Sequence, residues 1–430
     1  MNFVDWYKKR GFQFILKRAQ KLGERYSFTP GKSITRIRDC VERLSDYGCR
    51  PTFFVPGIVV KRNSNFIREL QEKGCEIGVH SYQHVDLRSI SPHDANSQLE
   101  MASEVFRQVG LISDGFRCPY LSISDELLQT LTPGLFKYSS NRAIAWVNPD
   151  SNGHQKNKLF DIIGGFYHPS LAQSTLSLPY SQENILEIPV SVPDDLQMRD
   201  GLDYTPVEIS DSFLDTFKQI HQRGELFNLL FHPELASVLI EPFVAMLTEV
   251  QDFKDSVWIT QLRNVEKWWR ERETYKIQIE SLDGEYHLSI KPPDHATVLQ
   301  RGLDGHLDSQ TWDEKYNKIT EKPINLTADI LPLVGLMPVV PNWVADALSR
   351  KGYISVDLND WEDCSLKITD EFINQYANPV ELIAAIENID VPLVRFWPWP
   401  EGYRSALCLS GDLDALSLMD YATRLLPTGR

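Results

Sequence analysis

Six side chains in four short strings have the types and spacing to do chemistry. In VHSYQH, His80 and His84 stand four residues apart, where a strand pattern gives way to a turn. Both imidazoles can then face one side, and each offers a ring nitrogen at about 2.0–2.1 Å to a shared metal. Such a pair needs a third ligand, an Asp or Glu unless a distant His or Cys supplies it. In GFRCPY, Arg117 precedes a proline that stiffens its loop, so it can pair with a carboxylate and fix its position and charge. In LFNLLFHPE, His232 follows an apolar run and precedes Pro233, the place where a buried strand emerges and where parallel α/β folds collect reactive groups. In LCLSGDLDAL, a strand delivers Asp412 and Asp414 at alternate positions, able to divide the work of metal ligand and base. Each string also has an ordinary reading: capping histidines, a salt bridge, a structural strand-end His, a solvated acidic turn.

The elements that must position these groups alternate in type. ITRIRDCVERLSDYG has helical spacing and a glycine stop. PTFFVPG is a short apolar strand between proline signals. FIRELQEKG reads as helix, CEIGVH as strand and DANSQLEMASEVFRQVG as helix. ILEIPVSV then reads as one strand, SFLDTFKQIHQRG as helix, LFNLLFH as strand and VEKWWRERE as a closing helix. Strands alternating with helices predict a parallel sheet or a βα barrel. Near residue 272 the rhythm changes: YKIQIESLDGEYHLSI is a hairpin around Leu-Asp-Gly, followed by polar, turn-rich chain and helices at WVADALSRKG and VELIAAIENI.

Taken together, TFFVPG, HSYQH, RCPY and the strand-end FHP, in that order, resemble the polysaccharide deacetylases, carbohydrate esterase family 4, over about residues 34–270. YSS (138–140), LEIPVS (186–191) and VWITQLRNVEKWW look similar to that family as well. Family members begin with an acidic pair on a strand ahead of TFF. Here Asp5 and Glu24 are the only acids before Asp39, and WPEGYRSALCLSGDLDA at the other end resembles the missing strand. The resemblance therefore implies a circular permutation: a distorted (β/α) barrel of the polysaccharide-deacetylase type, completed by the C-terminal strand, with a smaller β-rich α+β domain between. The expected divisions are 1–271 for the main barrel, 272–395 for the second domain and 396–430 for the completing segment. It further implies that Asp414, His80 and His84 hold one divalent metal, zinc by preference, with cobalt, nickel or iron also fitting the donors. Asp412 is the implied general base, Arg117 its orienting partner, His232 the general acid with Asp194 or Asp195 behind it, and the backbone N–H near Tyr120 an oxyanion donor.

The implied reaction is removal of an N-acyl, N-acetyl by preference, group from an amino sugar or glycan. Two other readings stay open: hydrolysis of a different C–N amide bond, in a cyclic ureide or formamide, and a non-catalytic carbohydrate-binding protein that keeps the barrel.

With 430 residues and 42% hydrophobic, the chain can bury a large core, and two domains are expected. A net charge of −15 argues against a nucleic-acid partner, which requires a basic face. Six cysteines without a CxxC pair suit reduced, buried thiols. No apolar run is long enough to span a membrane. The opening residues lack a leader's apolar run, so a cytoplasmic address is expected. Residues 1–25 read as a basic, partly amphipathic helix packed on its own domain or touching an anionic membrane peripherally. A homo-oligomer is compatible with all of this.

Overall fold

The computed structural model describes residues 22–146, 167–303, 305, 307–360 and 362–423. The expected basic helix at 1–25 lies outside these residues except for Leu22–Arg25, which are helical.

The main layer is a curled twelve-stranded sheet. Its spine is β1 (Thr52–Val55), β2 (Glu76–Val79), β3 (Gly115–Phe116) and β4 (Tyr138–Ser139), successively paired in parallel. β5 (Ala143–Ala145), β6 (Ser170–Leu171), β7 (Tyr180–Gln182), β8 (Ile185–Glu187), β9 (Val190–Val192), β10 (Leu226–Phe231) and β11 (Val257–Ile259) follow along the chain. Every residue of β1, β2 and β10 is buried, as expected for a parallel strand covered on both faces. The covering helices are α1 (Gly31–Ser45), α2 (Gly57–Glu72), α3 (Pro92–Gln108), α4 (Asp125–Thr130), α5 (Pro206–Arg223), α6 (Ala236–Val250) and α7 (Leu262–Arg272). α1 presents Ile37, Cys40, Val41 and Leu44 inward at helical spacing. Thr205 and Glu208 form a reciprocal cap at the start of α5, and Gly224, at φ 66°, ends it in the left-handed region.

ILEIPVSV is two strands rather than one. Pro189 has no N–H to give to a ladder, and the run breaks there: β8 pairs with β4, whereas β9 pairs with β5 and β10. Among the described residues, pairing stops short of a closed ring, with β6 and β7 as the outer edges. The chain itself, passing from β8 into β9, closes the circuit.

Residues 276–400 form three smaller sheets. β12 (Lys276–Leu282) and β13 (Glu285–Lys291) make the expected hairpin, its turn residues Asp283 and Gly284 both at positive φ. β14 (Ala296–Arg301), β15 (Ser309–Thr311), β16 (Asn317–Ile319) and β17 (Ile324–Ala328) follow, β17 extending the hairpin. A parallel trio comprises β18 (Leu331–Leu336), β19 (Ser355–Asp357) and β20 (Cys364–Ile368), with α8 (Asn342–Lys351) and α9 (Pro379–Asn388) against it. β21 (Leu393–Pro400) pairs with β14. The strand thus runs across the position 395/396 and pairs within the middle sheets. Leu288, Ile324, Leu331 and Trp399 share one core with Leu226, Val265, Ala406 and Cys408, so this part packs continuously onto the main sheet.

β22 (Ser405–Asp412) then enters the middle of the main sheet. It runs parallel to β10 over Ala406–Gly411, to β11 over Ser405–Leu407 and to β1 over Ser410–Asp412. All eight of its residues are buried. Removing residues 404–430 would expose both flanking strands along apolar, unpaired edges. The truncated chain should lose its cooperative thermal transition by near-ultraviolet circular dichroism. A truncated chain that still melts cooperatively near the full-length temperature would contradict this account.

Candidate functional site

The C-terminal ends of β1, β2, β3, β10 and β22 meet at one rim of the curled sheet, and the six singled-out side chains stand there. His80 follows the last residue of β2, its own N–H bonded to the Val55 carbonyl at 3.1 Å. Ser81, at φ 64°, turns the chain sharply, and Gln98 of α3 accepts from the Gln83 N–H at 2.9 Å, which fixes the loop carrying His84.

His80 is fully buried, and its Nδ1 lies 2.8 Å from the Arg117 carbonyl. A carbonyl only accepts, so Nδ1 donates, and in the neutral ring Nε2 presents a lone pair. That Nε2 is buried and, among the described residues, has no hydrogen-bond partner; it lies 3.5 Å from Asp414 Oδ1 and 3.8 Å from Asp412 Oδ2. His84 Nε2 lies 3.0 Å from the same Asp414 Oδ1. A lone pair aimed at carboxylate oxygens away from water is unfavourable unless a cation lies among them. Two imidazoles and a carboxylate, with ligand atoms all within 4.8 Å of one another, are the donor set of a catalytic divalent site. The residues present therefore fit a metal. The carbonyl of Arg117 orients His80 in the way that metal-bound imidazoles are usually held.

Arg117 is completely buried at the end of β3. Nη1 donates to Asp412 Oδ1 at 2.9 Å, Nε to the Ser140 carbonyl at 2.9 Å, and Nη2 to Ser140 Oγ at 2.9 Å and Ser410 Oγ at 2.8 Å. The Phe54 ring lies 4.3 Å from its guanidinium carbon. Ser410 in turn donates to Asn228 Oδ1 at 2.7 Å, and Asn228 Nδ2 donates to the Pro189 carbonyl at 3.0 Å. One network thus joins β3, β10 and β22 with the break between β8 and β9.

Across the rim, His232 Nδ1 lies 2.7 Å from Asp195 Oδ1, and the His232 N–H donates to Asp195 Oδ2 at 2.8 Å. Of the two acids offered by the sequence, Asp195 is the one that meets His232. Burial opposes the imidazolium, but the Asp195 carboxylate outweighs it and raises the His232 pKa to about 10. Asp194 lies beside this pair, the three side chains' ligand atoms within 4.8 Å of one another; it accepts from the Tyr167 hydroxyl at 2.7 Å and the Gln197 N–H at 2.7 Å, and burial pushes its carboxyl upward. Tyr120, at φ 60° and ψ 19°, holds a backbone conformation that L-residues seldom adopt. Its ring packs edge-on against His84 at 4.8 Å.

The structure brings all seven expected residues to this rim. It also shows five that sequence reasoning passed over: Ser140, Asn228, Ser410, Arg25 and Glu234. Ser410 was within reach, since it lies two residues before Asp412 and a strand's side chains share a face at that period. Glu234 likewise stands two residues beyond His232. Arg25, whose Nη2 is 3.5 Å from Asp414 Oδ2, carried no local signal.

Fold and site together define an α/β protein with a metal-ready rim on a curled parallel sheet. Residues 33–133 match the family model described as polysaccharide deacetylase. A bifunctional xylanase/deacetylase of Pseudobutyrivibrio xylanivorans is 30% identical over 104 residues, 24% of this chain and 17% of that protein. The peptidoglycan-N-acetylglucosamine deacetylase PgdA of Listeria monocytogenes is 25% identical over 114 residues, 26% of this chain and 24% of its own. A chitin deacetylase of Colletotrichum lindemuthianum is 32% identical over 103 residues, 23% and 38% respectively. The chain thus spans well under half the length of these relatives. Among solved structures, the peptidoglycan deacetylase PdaC from Bacillus subtilis aligns with a TM-score of 0.33 at 16% identity, over 57% of this chain and 88% of that one. Puue allantoinase aligns with a TM-score of 0.42 at 14% identity, over 55% and 72%.

A guanidinium with no exposure and four hydrogen bonds leaves its partners stranded when it is removed. Arg117→Ala should cost about 3–5 kcal/mol of folding stability, the range for breaking a buried ion pair from one side. Urea unfolding measures it, and a loss below about 1 kcal/mol, typical of an exposed pair, would show that the network is not a stabilising unit.

Proposed function

We propose that this protein is a metal-dependent hydrolase that removes an N-acyl, specifically N-acetyl, group from an amino sugar or glycan. The observation that carries this reading is the convergence of Asp414 Oδ1 on His84 Nε2 and the partnerless, buried His80 Nε2, with Asp412 beside them. Its second support is the match of residues 33–133 to the polysaccharide-deacetylase model, together with relatives named as deacetylases of peptidoglycan and chitin.

In this reading His80, His84 and Asp414 hold one divalent ion, with zinc the first choice for two imidazoles and a carboxylate. Such an ion supplies Lewis acidity toward the acyl carbonyl and acidifies water. Asp412 takes the proton from the attacking water, and Arg117 keeps its carboxylate aimed through the 2.9 Å hydrogen bond. The backbone N–H of Tyr120 donates to the developing oxyanion. His232, held protonated by Asp195, delivers a proton to the leaving amine. The same reading takes the chain as a circularly permuted member of the family, supported by the parallel seat of β22 between β1 and β10. Six buried, free cysteines favour a reducing compartment and so a cytoplasmic, lipid- or nucleotide-linked sugar as substrate.

Metal analysis after reconstitution should find about one divalent ion in wild type and near none in His84→Ala. Acetate release from N-acetylglucosamine oligomers should fall by about 10²–10⁴-fold in His232→Ala, and a variant within a factor of three of wild type would remove His232 from the reaction. Parallel assays on cyclic ureides and formamides decide the bond class.

The pH profile offers a separate check. His232 keeps its proton up to about pH 10, so the alkaline limb of kcat/KM should lie well above neutrality. Asp195→Asn removes the partner charge and should move that limb down by roughly 1–3 pH units. A limb unmoved by Asp195→Asn would mean that His232 does not set it.

A further inference from the structure

Asp414 stands two residues past the end of β22, outside the ladder that holds Asp412. Its Oδ1 faces the two imidazoles, while Oδ2 faces the guanidinium of Arg25 at 3.5 Å. Arg25 comes from the opposite part of the chain, just ahead of α1. Its Nε donates to Glu234 Oε1 at 2.7 Å, and Nη2 pairs with the same oxygen. Tyr26 donates its hydroxyl to that oxygen at 2.7 Å. The Glu234 side chain has no exposure and lies in the turn after β10, two residues beyond His232. Nearby, the Leu418 N–H bonds to the Ser27 carbonyl at 2.9 Å, and the Tyr26 and Tyr421 rings lie 5.7 Å apart.

We propose that Arg25 is the positioning residue for Asp414: anchored by Glu234, it holds Oδ2 aside so that Oδ1 alone meets the histidines, and it ties the His232 turn to the metal site. The inference rests on the functional reading above only in taking Asp414 as a ligand. Two effects of Arg25 oppose each other. A cation beside a ligand carboxylate draws off charge and weakens its donor strength, whereas a fixed fork orients the carboxylate. Orientation prevails because the charge of Arg25 is already shared with Glu234, which leaves little to withdraw from Asp414. A lysine places one ammonium where the fork reaches two carboxylates, so it cannot serve both partners equally well.

The experiment is zinc titration of the metal-stripped full chain against a chromophoric chelator, with a thermal melt of the metal-free protein alongside. Arg25→Ala should weaken zinc binding by about 10–100-fold, the usual effect of losing a residue that orients a ligand. Because it leaves Glu234 buried without its partner, the double variant Arg25→Met, Glu234→Gln serves as the fold-safe counterpart and should show the same loss. Arg25→Lys should fall between these and wild type. Unchanged or tighter zinc binding in the double variant overturns the proposal. If neither deletion of the guanidinium gives a cooperative melt, unchanged affinity in Arg25→Lys overturns it instead. Wild type that binds no zinc would strike the metal reading itself, a different failure from wild type and variants binding alike.

Discussion

A guanidinium with no access to water must find its partners inside the protein, and Arg117 finds them on two separate stretches of chain, the turn after β4 and the end of β22. It needs the carbonyl and hydroxyl of Ser140, the hydroxyl of Ser410 and the carboxylate of Asp412. Its own carbonyl dictates which nitrogen of His80 carries the proton. Satisfying one buried cation thereby sets the register of β22 against β1 and β10, the shape of the turn after β4 and the direction of a lone pair. A one-residue slip of β22 would turn Ser410 and Asp412 away from Arg117 and leave its charge unpaired.

Two acids at alternate positions, Asp412 and Asp414, acquire different surroundings from this arrangement. Asp412 ends the strand and is held by arginine from the β3 side. Asp414 lies beyond it, between the imidazoles and a second arginine from the β10 side. Both are nearly buried, so neither is screened by bulk water, and the identity of each neighbour determines what its carboxylate can do. His232 shows the same principle with the sign reversed: burial alone would favour the neutral ring, and one carboxylate at 2.7 Å overrules it.

Much of this was legible in the sequence because it depends on short-range pattern. Apolar runs bounded by proline and glycine marked β1, β2 and β10, and helical spacing marked α1, α3 and α5. The hairpin at 276–291 announced itself through Asp283 and Gly284. The break at Pro189 was less visible, since LEIPVSV has strand composition throughout and only the lost ladder donor divides it. Boundaries tied to tertiary pairing were hidden: β21 looks like a lead-in to β22 until its partner β14 is known. Arg25 and Asn228 were hidden for the same reason, because their partners are distant in the chain (209 residues from Arg25 to Glu234, 182 from Asn228 to Ser410) and no spacing rule connects them.

The seat of β22 also fixes when the fold can exist during synthesis. β1 emerges from the ribosome some 350 residues before its neighbour Ser410–Asp412, and β10 about 180 residues before. Through that interval each offers an uncovered apolar edge, the kind of surface that seeks strands on other molecules. Meanwhile the three smaller sheets can collapse and cover the far face of the nascent layer. β11, which pairs with the start of β22, marks the departure point to which the chain must come back. That strand therefore acts as a keystone: a nascent chain has helices α1 to α7 before it has a usable centre, and the reactive rim comes together only once that strand is seated.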